Sequence, residues 1–238
     1  MASVKNISAI VVLAAAALVG AASAAPAQDV SGIWWANSYS MQIRPTDGSA
    51  LPFTPAGAEA YRKNVAGLKD GSIVDAARKV CVPDGIPRIL ATPYPFQIFQ
   101  SPGFVTMVYE QNHVFRTVPM DRRVPSDQEL EAYPYYSGNS YGHWEGDTLV
   151  IVSKGFNEKT FIDASGVPHS DQLHVTERIR KINDKTLEDV ATIEDPMNFT
   201  KPWTTRFTYE LHPEVRIDTA YICGEKHRDI SRVKGVVQ

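Results

Sequence analysis

The chain has few of the features that mark several large protein classes. Its 238 residues hold only two cysteines, Cys81 and Cys223, which excludes a disulfide-dense small domain and a cysteine zinc site. The formal net charge is −3 without a basic run, so binding to nucleic acid or to an anionic membrane surface is not expected. Phosphate loops, the dinucleotide glycine fingerprint, a CxxCH haem motif and a Gly-x-Ser-x-Gly elbow are all absent. We therefore expect no cofactor.

Metal-ligand patterns are missing as well. Four histidines lie in the central part of the chain, but no two of them form an HxH or HxxxH pair; they are His113, His143, His169 and His174. Since helical and strand metal sites usually place two ligands at such spacings, we expect no bound metal. An enzyme built on this sequence would run acid–base chemistry with its own side chains.

A long apolar run occurs only near the N-terminus. Lys5 precedes the apolar residues 7–19, and small residues then offer cleavage after Ala24 or Ala27. This is the pattern of a secretory signal peptide, and it is too short for a membrane-spanning helix. We expect residues 1–27 to be removed and residues 28–238 to form one secreted or periplasmic domain without a membrane anchor. In that oxidising compartment Cys81 and Cys223 are expected to form a disulfide, with two free buried thiols as the alternative.

The hydrophobic pattern predicts a mainly β protein. Thr54, Pro55 and Glu59 mark the start of one helix, expected to run from Pro55 to about Leu68. Strands are expected at residues 29–39, 96–100, 104–110, 113–118, 140–145, 148–154, 169–182, 186–194, 203–211 and 216–223. Short antiparallel strands of this number favour a lipocalin-like β-barrel with one N-terminal helix and long loops. A β-sandwich is the alternative.

Three segments resemble a recurrent group of exported bacterial proteins, most of which are uncharacterised. Residues 142–156 (GHWEGDTLVIVSKGF) resemble the WEGDTLVV-type hairpin of that group, residues 169–178 (HSDQLHVTER) its HS…L…ER strand, and residues 81–88 (CVPDGIPR) a third shared segment. The resemblance implies a common fold and carries no activity. Gly32, Ile33 and Trp34 are also similar to the start of lipocalin barrels, although a core tryptophan is the more common explanation of such a pattern.

Glu177 is the leading candidate for chemistry. It alternates with Leu173, Val175 and Ile179 along one expected strand, so its side chain shares a face with three aliphatic neighbours. A carboxylate on an apolar face needs a partner or a raised pKa, because losing its water is costly. Either a nearby histidine or an arginine from an adjacent strand pairs with Glu177 in the core, or the face lines a ligand cavity.

Other ionisable side chains are candidate partners. His169 and His174 flank the start of the same strand, and Glu110 and His113 flank a turn at which they can form a hydrogen bond. A structural or solvated role is the alternative for each of these residues. Tyr109 and Arg116 are suited to a phenolate or a carboxylate. A tyrosine-rich loop over residues 120–139 can lie across a pocket mouth.

We therefore expect an exported, cofactor-free lyase, hydratase or isomerase that acts on a small apolar or aromatic molecule. The predicted catalytic residues are Glu177, His169, Glu110 and His113. The predicted substrate-binding residues are Tyr109, Arg116, Tyr141, His143, His174 and Arg178. A non-catalytic, lipocalin-like carrier and an interaction protein with a filled core are the alternatives, and the sequence leaves the oligomeric state open.

Overall fold

A computed structural model describes residues 29–36, 38–79, 81–130 and 132–218. The expected signal peptide, Cys223 and most of the last expected strand lie outside the described residues. Residues 216–218, which were expected to begin that strand, are described and are not part of a strand.

Nine strands and three helices form the described fold. The strands are β1 (Gly32–Ala36), β2 (Phe96–Ser101), β3 (Phe104–Tyr109), β4 (Phe115–Pro119), β5 (Asn139–Glu145), β6 (Thr148–Lys154), β7 (His174–Asn183), β8 (Thr186–Glu194) and β9 (Trp203–Leu211). The helices are α1 (Pro55–Asp70), α2 (Ala76–Lys79) and α3 (Asp127–Leu130).

The strands form one antiparallel sheet that curls into a nearly closed barrel. Their order is β4-β3-β2-β1-β9-β8-β7-β6-β5, so β1 joins the first half of the meander to the last strand. The ends of the sheet, β4 and β5, meet where the backbone N–H of Asp121 donates to the carbonyl oxygen of Gly142 at 2.7 Å. The predicted mainly β barrel is confirmed.

The principal helix begins where the sequence places its cap. The Thr54 hydroxyl accepts the backbone N–H of Gly57 at 3.0 Å, and Pro55 needs no donor in the first turn. The helix runs two residues beyond the predicted end, to Asp70, and Gly71 reverses the chain with φ of 83°. A left-handed residue at this position is the usual helix terminator.

The apolar pattern of the sequence predicted the interior strands well. The bounds of β6, β8 and β9 agree with the predicted ranges. The strand that carries Glu177 begins at His174 and not at His169, and this part of the prediction was wrong. Residues 170–173 form a turn in which the backbone N–H of Leu173 donates to the carbonyl oxygen of Ser170, while the Ser170 hydroxyl donates to Asp195.

Candidate functional site

Arg116 of β4 and Glu177 of β7 form an ion pair inside the barrel. Nη1 of Arg116 lies 2.9 Å from Oε1 of Glu177, and Nη2 donates to Oε2. The Glu177 side chain has no exposed surface and that of Arg116 is 3% exposed. The pair is therefore bidentate and removed from water.

The alternation of each strand points these two side chains inward. Glu177 lies between the buried Val175 and Ile179, and Arg116 lies between the buried Val114 and Val118. Because β4 and β7 are not neighbours in the sheet, the side chains meet across the barrel interior and not along one wall. Arginine is long enough to span that interior and to grip a carboxylate with two parallel hydrogen bonds.

Two buried serines complete the surroundings of the guanidinium group. Nε of Arg116 donates to Ser140 at 2.9 Å, Nη2 donates to Ser153 at 2.9 Å, and the two hydroxyls lie 3.0 Å apart. All three nitrogens of Arg116 therefore have partners within the protein. Burial lowers the pKa of Arg116, but the negative charge of Glu177 and its hydrogen bonds to the guanidinium raise this pKa by more, so the guanidinium stays charged.

Asp189 of β8 is a second acid in the interior, and the sequence analysis missed it. It is 1% exposed, between the inward-facing Leu187 and Ala191. Burial raises the pKa of the Asp189 carboxyl well above its usual range, and the negative charge of Glu177 adds to the rise. This shift favours the neutral form of Asp189, and a neutral carboxyl can donate a hydrogen bond to Glu177.

Two tyrosines share the interior with these acids. Tyr109 of β3 donates to Sδ of Met107 at 3.3 Å, and Tyr209 of β9 donates to the carbonyl oxygen of Leu90 at 2.9 Å. Burial raises the pKa of both phenols, so both stay protonated. A thioether is a weak acceptor, which leaves the Tyr109 hydroxyl able to exchange its partner for an oxygen.

A pocket of about 450 Å³ adjoins this interior at the wall formed by β9. It arises because β1 pairs with β9 only at residues 209–211, after which residues 38–44 leave the sheet. The inward-facing Thr205, Phe207 and Tyr209 line it, together with Leu90. Asp189 pairs with Phe207 across the β8–β9 ladder, so the acid lies one strand from the pocket wall but does not itself line the pocket.

His169 has its own buried contacts. Its ring nitrogens lie 3.2 Å from the Thr160 hydroxyl and 3.1 Å from the carbonyl oxygen of Ser170. Burial lowers the pKa of His169, so the ring is neutral and can accept a hydrogen bond from Thr160. The structure places it in the turn before β7, outside the cluster of Arg116, Glu177 and Asp189.

Glu110 and His113 are not joined by their side chains. Oε2 of Glu110 accepts the backbone N–H of Asp218 at 2.8 Å, and Nε2 of His113 is buried without a hydrogen-bond partner in the described part of the chain. Asn112 and His113 have φ values of 54° and 50°, so two successive residues of this turn adopt the left-handed conformation. The predicted base and its orienting carboxylate are therefore separate in the structure.

Four predicted binding residues lie on the outer face of the barrel. His174 contacts Asp127 at 3.0 Å, His143 contacts Glu145 at 3.1 Å, and Arg178 contacts Glu145 at 2.7 Å. Tyr141 pairs with Val152 on the same outer face of β5 and β6. Of the predicted binding residues, the structure brings Tyr109 and Arg116 to Glu177 and directs the other four away from it.

The tyrosine-rich loop also lies outside the barrel. Asp127 in α3 contacts Lys154 and His174, which alternate with inward residues of β6 and β7. Tyr133 and Tyr135 are exposed. Cys81 is in a disulfide bond, and its predicted partner, Cys223, lies outside the described residues.

The described residues offer neither a metal cluster nor a membrane-spanning helix. No group of three or more His, Cys, Asp or Glu side chains in this part of the chain is placed to hold a metal ion. None of its helices combines the length and the apolar character that crossing a membrane requires. No protein-family model matches the chain, and no curated protein matches its sequence.

Proposed function

We propose that this protein is an exported, cofactor-independent acid–base enzyme, a lyase, hydratase or isomerase, whose substrate is a small apolar or aromatic molecule. The observation that carries the proposal is the fully buried Asp189 carboxyl, whose pKa is raised, in the same interior as the Arg116–Glu177 pair. A neutral carboxylic acid in a dry interior is suited to donate a hydrogen bond to an oxygen that gains negative charge during a reaction.

The cluster supplies complementary acid–base roles. Asp189 donates its proton to the substrate oxygen and the Tyr109 hydroxyl stabilises the same oxygen, since its thioether partner is weak. Glu177 is the negative group that takes up the proton released from the substrate and passes it to Asp189, which restores both carboxyls at the end of the cycle. Arg116 holds Glu177 in position and binds no substrate, because all its nitrogens are already engaged.

The substrate enters through the pocket at β9. Its volume of about 450 Å³ lies within the range of small-molecule sites. Phe207 and Leu90 provide apolar contacts, and Thr205 and Tyr209 provide hydroxyl groups. Because Asp189 has no exposed route to this pocket in the described conformation, the reaction requires Tyr209 or the segment 38–44 to move.

Turnover by carboxyl-to-amide variants tests this proposal. Small apolar acids and phenols are screened by thermal shift, and hits are then assayed for turnover by the wild type, Asp189→Asn and Glu177→Gln. Loss of a general acid lowers kcat by about 10²- to 10⁴-fold. Asp171→Asn, at an exposed position, is the control and should retain activity. Equal turnover by all four proteins contradicts the roles of Asp189 and Glu177.

A carrier without turnover is the second candidate. It is favoured by the completeness of the ion pair, since both oxygens of Glu177 and every nitrogen of Arg116 are bound within the protein. Such a cluster can serve packing alone. Ligand binding in the β9 pocket that leaves the ligand unchanged, with equal affinity in the wild type and Asp189→Asn, would support the carrier.

A further inference from the structure

A groove separate from the barrel interior lies beside the C-terminal half of α1. It has a volume of about 950 Å³, the upper part of the range for small-molecule sites. Its apolar lining comes from Val65 and Leu68 of α1, from Ile73 and Val74 of the following segment, and from Met41. We call it the α1 groove.

Exposed aliphatic side chains converge on the α1 groove. Val74 is 59% exposed, Val65 is 43% exposed and Met41 is 42% exposed. Single exposed apolar residues are ordinary on protein surfaces, but three that line one depression form a patch. Water in this depression contacts hydrocarbon on several sides, so an apolar ligand gains by displacing it.

The walls of the groove are fixed by close backbone packing. A Cβ atom on Gly67 would lie 2.5 Å from the Ile73 side chain, so α1 and the following segment approach as closely as glycine allows. The backbone N–H groups of Gly71 and Ile73 both donate to the carbonyl oxygen of Gly67. The groove is therefore formed before a ligand arrives, which reduces the entropic cost of binding.

The rim of the groove carries positive charge. Lys69, Arg78 and Lys79 line it, and no ion pair of these three side chains occurs among the described residues. Of the two acids at the rim, Asp75 is paired with Arg88, while Asp70 accepts the backbone N–H of Ser72 and keeps its negative charge. The three cations outnumber this one unpaired acid, so the net charge that faces a ligand is positive.

We propose that the α1 groove binds a free anionic amphiphile of the medium-chain fatty acid class. The alkyl chain packs against Val65, Val74 and Met41, and the carboxylate lies near Arg78 and Lys79. The occupant follows from charge complementarity, since an apolar lining with a cationic rim matches an apolar body with an anionic head. This site is independent of the acids in the barrel and of the proposed reaction.

Calorimetric titration of the full chain with monomeric decanoate tests the proposal. Decanol and decyltrimethylammonium have the same chain length without the negative charge. Each exposed charge contributes up to about 1 kcal/mol, which is about fivefold in affinity. Decanoate should therefore bind about fivefold or more tightly than decanol, and far more tightly than the cation.

Matched variants locate the binding site. Val74→Ser and Arg78→Ala should each weaken decanoate binding by about threefold to tenfold. Met197→Ser, which replaces another exposed apolar residue, and Lys159→Ala, at an exposed position outside the groove, should leave it unchanged. Thermal unfolding of each variant verifies the fold, which these exposed positions should not alter.

Three results would overturn the proposal. One is equal binding of decanoate and decyltrimethylammonium, which removes the role of the basic rim. Another is equal affinity in the groove variants and the two controls, which places the ligand elsewhere. The third is binding to anionic phospholipid vesicles without any binding of monomeric decanoate, which makes the groove a membrane contact.

Discussion

At the residue scale, the stability losses caused by replacing Arg116 and Glu177 should not be additive. Removal of either partner leaves an uncompensated buried charge, so Arg116→Met and Glu177→Leu should each lower the free energy of unfolding by about 3–5 kcal/mol. The double variant replaces both charges with apolar side chains and should lose less than either single variant. Urea denaturation of the four proteins provides the measurement, and additive losses in the double variant would show that the side chains do not depend on each other.

Asp189 should leave a signature in the pH dependence of stability. Its folded-state pKa is raised, so the native state binds more protons than the unfolded state at pH values between the unfolded and folded pKa. In this window stability falls as pH rises, by at most about 1.4 kcal/mol per pH unit. Below the unfolded pKa, Asp189 is protonated in both states, and its stabilising contribution to the free energy of unfolding is fully present.

The variant Asp189→Asn isolates this contribution. Asparagine does not titrate, so the stability of the variant relative to the wild type should increase as the pH is raised from about 4 to 8. Asp84, whose pKa burial also raises, is present in both proteins and cancels in the difference. Urea denaturation across this range gives the measurement. A constant difference would mean that Asp189 is ionised in the native state.

At the scale of elements, the cap of α1 ties the helix to the loop after β8. The Thr54 hydroxyl accepts from Gly57 and donates to the carbonyl oxygen of Met197 at 2.8 Å. Thr54→Ala should therefore lower the free energy of unfolding by about 1–2 kcal/mol, while Thr54→Ser keeps the hydroxyl and most of the stability. Thermal unfolding compares the two, and an equal loss in both would assign the effect to the methyl group.

The sequence predicted the bounds of helices and strands better than it predicted contacts between them. Strand β9 alternates between apolar and polar residues, β6 carries a continuous apolar run at residues 149–152, and Thr54 with Pro55 marks the helix start through local chemistry alone. The same alternation identified Glu177 as buried. Applied to β8, it would have identified Asp189 as well, since Asp189 alternates with Leu187, Ala191 and Ile193.

The partner of Glu177 could not be chosen from the sequence. Arg116 lies 61 residues away on a strand that is not its neighbour, so local spacing carries no information about the contact. Barrel curvature brings the two together, and curvature depends on the register of all nine strands. For the same reason the sequence did not show that Tyr141 and His143 face outward. Arg178 follows Glu177 directly, so alternation alone places it on the opposite face.

At the scale of the whole molecule, the barrel depends on a narrow closure between β4 and β5. Gly142 lies at this closure, where an added Cβ would meet Sδ of Met120 at 2.7 Å and Cγ1 of Val118 at 2.9 Å. Gly142→Ala should therefore destabilise the protein by about 1–3 kcal/mol through overpacking. It should also speed amide hydrogen exchange in β4 and β5 more than in β8. If Gly142→Ala speeds exchange equally in β4, β5 and β8, the contact between β4 and β5 does not open more readily than the rest of the barrel.

The central claim is that the barrel holds a neutral acid next to an ion pair. Carbon-13 NMR of the aspartate carboxyl groups tests it directly, with Asp189→Asn used to assign the Asp189 signal. The account predicts that the Asp189 carboxyl keeps the chemical shift of a protonated acid at pH 7. A carboxylate signal at pH 7 that titrates near pH 4, as for a solvated aspartate, would contradict it.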